Sequence, residues 1–548
     1  MELLRRLRSP GWIVVVAATA AAVTVSCNNN KSLLATVSSS SFSFFTTMNH
    51  RNQPTTSSPP STTRSSGTIT VTPNNNSNIH AILQASLTTL VTRGSNGGVQ
   101  MTAIPTQQDD DDGLPLVGLP NNDDSSSTAR LAVVHVVILV HGWMGNPMEM
   151  NALRSSLVEA FVANEEDANT NNKGKKVALL VHCAAANDGN THDGIAAGGT
   201  RLAQEIQDLI GRLNDSSESI TLSMVGNSLG GLYARYALAD LHVHFVDRNN
   251  NNSNSKRLVP AIFATTATPH LGVGHGHTYL PLSSAQTRTS RRWMERGVAA
   301  VLQQTGADLF RIPSTTVVID DMTFNDVYIA PLRLFRRRLA YANVHGTDFQ
   351  VPTATAAFVD PSCTMAQTHR VLTPNHSDNN NSSNNNNNSM IRCIVETDPQ
   401  EEKDDVPSDG DDNADTAKTP AQLARALDRL GWTKVFCDVR QHLPAIPLPR
   451  LFRHTDNNDD DDNDDASSSL SSAELYQRYA RWNADKFYFP AGHTVMVANA
   501  KNEVYAKLNK AGKPVMDYLA ADMVRTLLSS PSLDNKDDAA TSCEERNE

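Results

Sequence analysis

Gly226-Asn227-Ser228-Leu229-Gly230 follows the apolar run Ile220, Leu222, Met224, Val225 and precedes the helical pattern Leu232, Ala234, Tyr236, Ala237. A strand, then G-x-S-x-G, then a helix is the order that lifts a serine hydroxyl clear of its own sheet. The turn has to be sharp, and only small residues at Gly226 and Gly230 let strand and helix approach that closely. Ser228 is therefore the candidate nucleophile. The competing reading, a Gly-rich turn without chemistry, is weakened by the strand and helix on either side.

Upstream, Val133, Val134, Val136, Val137, Ile138, Leu139 and Val140 form a β-branched run suited to a strand buried on both faces. It ends in His141-Gly142-Trp143-Met144-Gly145. A loop in this place supplies one backbone N–H to an oxyanion, and the residue after the nucleophile supplies the other. Leu229 is the second donor, and the first is Trp143 or Met144. His141 is read as ordering the loop by hydrogen bonding and not as a base.

Strands over 133–140, 177–183, 219–225 and 260–265 alternate with helical patterns near 147–163, 199–213 and 229–241. Later apolar stretches lie at 315–320, 339–344, 434–439 and 493–498, with a closing helix near 512–529. The alternation predicts an α/β-hydrolase fold: a mostly parallel central sheet with helices on both faces. In that fold the acid and then the base follow the serine in the chain. Asp348, in a short turn with Gly346 after Leu339–Val344, occupies the expected place of the acid, against the reading of an ordinary Asx turn. Asp360 is the fallback. His493, in Pro490-Ala491-Gly492-His493-Thr494, precedes the closing helix and is the candidate base. His376, His442 and His454 are rivals by chain order.

Beyond the elbow, Val140-His141-Gly142-Trp143 with Gly145-Asn146-Pro147, Thr191-His192-Asp193-Gly194-Ile195 with Gly199-Thr200-Arg201-Leu202, Gly231-Leu232-Tyr233-Ala234-Arg235-Tyr236, Thr268-Pro269-His270-Leu271-Gly272 and Tyr341-Ala342-Asn343 resemble the DUF676 serine esterase and lipase-like family. The resemblance runs over roughly 130–350 and resumes near 490–525. It implies a hydrolase of acyl esters, of lipids in particular, with Ser228 as nucleophile, the aspartate of Asp348-Phe349-Gln350-Val351-Pro352 as acid and His493 as base. His270, in the Pro-His-Leu-Gly signature, is read as a structural or pocket residue. No metal and no cofactor are required, and the substrate is a lipid or small ester. Acyl transfer or thioester hydrolysis with the same three residues, and an inactive hydrolase scaffold used for binding, are the alternatives. The stretch 274–340 is long enough for a lid. Its Leu332, Leu334, Phe335 and Leu339 alternate with Arg333, Arg336, Arg337 and Arg338, which allows either a membrane-facing surface or a helix packed on the core with solvated arginines.

The 548 residues carry a formal net charge of -11, much of it from aspartate clusters at 109–112, 404–412 and 459–465. These lie in polar tracts and read as solvated insertions, and no basic patch with interleaved aromatics points to nucleic acid. The expected organisation is a signal peptide or signal anchor over 1–27, a Ser/Thr/Asn-rich disordered or transit-like segment over 28–128, a catalytic domain over 129–530 with insertions at 373–415 and 455–470, and a disordered tail over 531–548. Arg5, Arg6 and Arg8 before the apolar run Trp12–Val25, then an acid-free stretch to Gln108, predict entry to the endomembrane system and a plastid as destination, with secretion or membrane anchoring as the alternative. The six cysteines form no close pairs. Cys363 and Cys393 are candidates for a bridge if the chain meets an oxidising lumen.

Overall fold

The computed structural model describes residues 13–18, 21–27, 33–36, 69–70, 86–93, 99–104, 131–164, 177–213, 217–246, 258–274, 295–297, 299–312, 317–348, 350–362, 369–372, 390–400, 418–447, 469–480, 486–488 and 491–529. The chain divides into two units, Met1–Ser65 with Tyr279–Ala285, and Ser66–Thr278 with Gln286–Glu548. In the first, Ile13–Ala18, Ala21–Cys27 and Leu33–Thr36 pair as an antiparallel sheet, so the apolar run expected to act as a signal segment is described as strands. No helix among the described residues is long and apolar enough to cross a membrane.

The second unit is built on one large sheet. Its strands are β1 (Thr88–Arg93), β2 (Val99–Ile104), β3 (Leu131–Val140), β4 (Val177–Cys183), β5 (Ser217–Asn227), β6 (Leu258–Thr266), β7 (Arg337–Asn343), β8 (His369–Leu372), β9 (Ile391–Glu396) and β10 (Thr433–Cys437). They lie in the order β8-β9-β10-β7-β6-β5-β3-β4-β1-β2, with two-residue strands at each edge. From β10 through to β4 every neighbour is parallel. Antiparallel strands extend both sides. The chain places β4 beside β3 and then crosses back to lay β5 on the other flank of β3. At such a reversal the loops leaving neighbouring strands diverge and open a crevice above the carboxyl ends. The register puts Val140 level with Gly226, so the loop after β3 and the turn after β5 emerge side by side at that crevice.

Helices cover both faces. α1 (Asn151–Ala163) packs with α6 (Lys513–Leu528), and α2 (Ile195–Gly211) packs with α3 (Leu229–Val246). Leu153, Leu157 and Phe161 of α1 and Val515, Leu519 and Met523 of α6 share a core cluster with Val137, Leu139, Leu179 and Val181. Side chains alternate across a strand, so the equally buried Val136, Ile138 and Leu180 face the opposite side. This is why β3 reads as continuous Val, Ile and Leu instead of an apolar and polar alternation. The architecture is that of the α/β-hydrolase fold.

Two expectations change. The segment 28–128 is expected to be a disordered or transit-like segment, yet it supplies β1 and β2, and Leu90, Val91, Val99 and Met101 are buried. The insertion 373–415 likewise contains β9, paired with both β8 and β10, with Val395 fully buried. In both cases a short apolar run is hidden by the polar composition around it. The later part of the apolar stretch at 315–320 opens α4 (Val318–Phe324), while residues 315 and 316 lie outside the described residues. The rest of the two insertions, the tail 531–548 and most of 1–128 lie outside the described residues.

Candidate active site

Ser228 stands at the end of β5 with φ 53, a left-handed conformation that a serine adopts only under constraint. Its own N–H donates to Thr266 O at 2.8 Å, which ties the turn to the neighbouring strand. The small residues expected at Gly226 and Gly230 are required sterically. A Cβ on Gly226 would strike the Gly231 backbone, and one on Gly230 would strike Val140 O. α3 begins at Leu229, so its first N–H groups have no partner within the helix, and its positive end lies beside the serine.

Asp348 and His493 are brought together from 145 positions apart in the chain, His493 Nδ1 lying 2.9 Å from Asp348 Oδ2. Asp348 follows β7, as an acid in this fold should, and its carboxylate is held on both oxygens. Oδ1 accepts the N–H groups of Gln350 (3.0 Å) and Val351 (2.9 Å), and Oδ2 also accepts Asn343 Nδ2 at 3.1 Å. His493 lies on the short helix α5 (Gly492–Met496), which is seated on the acid's turn by Gly492 N–H donating to Thr347 O at 3.2 Å. Burial pulls the His493 pKa down, but the charge of Asp348, its hydrogen bond and the charge of Glu149 together raise it above the ordinary histidine value. Asp348, Ser228 and His493 are all buried.

The oxyanion loop is held by a residue that the sequence did not single out. Glu149 Oε1 accepts Gly142 N–H at 2.9 Å and Asn227 Nδ2 at 2.7 Å. Asn227 Oδ1 in turn accepts the Thr266 hydroxyl at 3.0 Å. Of the two first donors left open, Met144 N–H is engaged with Thr191 Oγ1 at 3.0 Å, while Trp143 N–H meets no acceptor among the described residues. Thr191 belongs to a second layer of support: its carbonyl accepts the Thr305 hydroxyl at 2.8 Å, and Thr305 Oγ1 accepts Gly194 N–H at 3.0 Å. Asn343 and Asn227 sit inside motifs already noticed. The signal for Glu149 was a carboxylate in the apolar stretch Pro147-Met148-Glu149-Met150, a group that must find donors if buried.

The rival histidines separate by environment. His141 Nδ1 lies 3.0 Å from Gly142 O, so it braces the loop as expected. His270 is fully buried against Phe358 and Trp432, 3.4 Å from Arg235 Nη1 and 3.0 Å from Thr265 Oγ1. Burial, followed by the Arg235 and Lys434 charges, pushes its pKa well down. His442 is exposed on a 3-10 turn, and His376 and His454 lie outside the described residues, as does Cys363 of the suggested bridge. Asp360 is taken up by Ser362 N–H at 2.8 Å and by the Ser362 hydroxyl at 2.5 Å. In the stretch considered for a lid, exposed Arg336 donates to Thr526 O, Arg337 to Asp522, and buried Arg338 to the carbonyls of Gly431 and Phe335; Arg337 and Arg338 lie on β7 and not on a helix with solvated arginines, which corrects that reading. Among the described residues no cluster of side chains could hold a metal ion.

Residues 132–363 match the family model described as "Putative serine esterase (DUF676)". The motif resemblance is to this same family. The matched segment covers the elbow, the oxyanion loop and Asp348, and stops before His493. Among curated proteins the chain is similar to "Putative lipase C4A8.10" of Schizosaccharomyces pombe, 25% identical over 234 residues, covering 41% of this chain and 26% of that protein. It is also similar to "Putative lipase YDR444W" of Saccharomyces cerevisiae, 26% identical over 232 residues, covering 41% of this chain and 32% of the other. The match thus spans about a quarter to a third of these relatives' length. Among solved structures, the peroxisomal alpha-beta-hydrolase Lpx1 of Saccharomyces cerevisiae is 12% identical with a TM-score of 0.22, covering 42% of this chain and 68% of that one. A Listeria innocua protein, the product of gene lin2722, is 15% identical with a TM-score of 0.20, covering 41% and 76%.

Proposed function

We propose that this chain is a serine hydrolase that cleaves carboxylic esters, of lipids above all, through an acyl-enzyme on Ser228. The observation that carries the reading is the His493–Asp348 hydrogen bond, formed across 145 positions on the loop after β7, whose carboxyl end lies on the same side of the sheet as that of β5, where Ser228 sits in its strained turn. Asp348 fixes Nδ1 as the protonated nitrogen, which leaves Nε2 to accept the Ser228 proton. Ser228 Oγ attacks the ester carbonyl, and the developing oxyanion is received by the N–H groups of Leu229 and Trp143. The proton then passes from Nε2 to the leaving alcohol. His493 Nε2 then takes a proton from water, the hydroxide attacks the acyl-enzyme carbonyl, and collapse of the intermediate releases the acid while His493 returns the proton to Ser228 Oγ. The names of the two yeast relatives support a lipid ester as the substrate class.

The test is labelling of the purified protein by a fluorophosphonate, followed by turnover of p-nitrophenyl esters, acylglycerols, phospholipids and galactolipids, with and without an added alcohol as acyl acceptor. Ser228→Ala should keep the fold and lose labelling and turnover together, on the order of a millionfold in kcat where such residues act as a unit. Full turnover in that variant overturns the assignment, and transfer to the alcohol in preference to water would make the protein an acyltransferase.

A further inference from the structure

Glu149 is buried at the junction of three segments that the proposed chemistry needs, and none of its bonds is to a residue of the triad. Its Oε1 joins Gly142, which precedes the oxyanion donor, to Asn227, which precedes the nucleophile. One acceptor atom therefore spans the two loops that leave β3 and β5. Its main chain reaches the third segment: Ala500 N–H donates to Glu149 O at 3.4 Å, and nearby Asn146 Nδ2 donates to Lys501 O at 3.4 Å, so the stretch after His493 is fastened to the same place. Space there is tight. A Cβ on Gly145 would strike the Glu149 carboxylate, and one on Gly142 would come within 2.9 Å of Ser228 Cβ.

An ionised carboxylate in a buried site is costly unless donors satisfy it, so its placement under the oxyanion loop calls for a reason beyond packing. Two donors on separate loops, one on each side of the carbonyl to be attacked, have to aim at the same oxygen to within a fraction of an ångström. The N–H of Trp143 is aimed by the peptide plane that Gly142 begins, and the N–H of Leu229 by the turn that Asn227 begins. We propose that Glu149 is a positioning residue that locks these two peptide units to one another, so that the oxyanion hole is preformed before substrate arrives. This rests on the serine hydrolase reading above. Asn227 completes the lock by passing the constraint on to Thr266 of β6.

The test uses the full chain, p-nitrophenyl butyrate and a fluorophosphonate. Glu149→Gln keeps an acceptor oxygen at the same reach and should hold kcat within about threefold. Glu149→Ala leaves Gly142 N–H and Asn227 without their partner and should lower kcat by about 10² to 10³, the loss typical of a single oxyanion donor, with KM changed less than about twofold. Hydrogen exchange of the peptide covering 141–145 should rise in Glu149→Ala and stay at the wild-type level in Glu149→Gln. Should Glu149→Ala fail to fold, Asn227→Ala, which removes one end of the same lock, should show the selective kcat loss in smaller measure. Wild-type exchange over 141–145 in Glu149→Ala overturns the lock whatever the fate of the hydrolase reading, and so does a loss that appears in KM alone. Turnover that survives Ser228→Ala sinks the hydrolase reading while leaving the exchange result to judge the lock.

Discussion

At the scale of single residues, the site depends on charges held where water is scarce. The His493 imidazole must be neutral to accept a proton, and its pKa stands above the ordinary histidine value because Asp348 and Glu149 outweigh the effect of burial. Activity is therefore expected to fall as pH drops through that raised pKa, placing the acid limb of kcat/KM above about 6.5, the unperturbed histidine value. A limb centred well below that value would show that His493 is not the group titrating. Asp348→Asn should cost about 10⁴ in kcat, because an amide can present its N–H to Nδ1 and stabilise the wrong tautomer. The fold should persist, since Gln350 and Val351 can still donate to the amide oxygen. The measurement is kcat beside a thermal melt, and a harmless Asp348→Asn would send the search to another acid.

Among elements, the polar tracts divide into parts with opposite tolerance. Replacing 373–389 by a short Gly/Asn turn is expected to leave the melting temperature and the activity close to wild type, because β8 and β9 are antiparallel neighbours with Leu372 opposite Ile394. Val395→Asp, a few residues on, should destabilise by more than about 3 kcal/mol, since the side chain is fully buried in the core cluster on a strand paired on both sides. Denaturant midpoints would separate the two, and equal effects would show that β9 is not part of the sheet in solution. What the sequence made legible follows the same division. Long apolar runs such as Val133–Val140 and a motif with fixed geometry such as Gly226–Gly230 announced the parallel centre of the sheet and the elbow. Chain order then supplied Asp348 and His493. The strands β1, β2 and β9 escaped because each is only six residues long and lies within polar composition. Glu149 escaped because its partners are a backbone N–H and the side chain of Asn227, 78 positions away, and no local pattern encodes that meeting.

The hydrolase unit as a whole is stitched across the sheet by a buried ion pair away from the site. Lys434 Nζ on β10 lies 2.6 Å from Asp428 Oδ1 and over the Phe358 ring, and His369 Nε2 on β8 lies 3.1 Å from the ammonium and 3.6 Å from Asp428 Oδ2. Asp428→Ala removes the carboxylate from this buried pair and should cost about 3–5 kcal/mol, read from urea unfolding, with no change in the pH profile of the surviving folded enzyme. A loss under about 1 kcal/mol would mean that the site is wetter than its burial implies. The separation of Asp348 from His493 bears on time as well as space. A ribosome delivers the nucleophile, the oxyanion loop and the acid long before the base, so on the proposed chemistry a growing chain carries an inert serine until its final stretch emerges. Chains arrested at residue 480 should react with a fluorophosphonate no faster than full-length His493→Ala, and release of the remainder should switch labelling on. Esters near the ribosome would thus be spared by the order of synthesis itself.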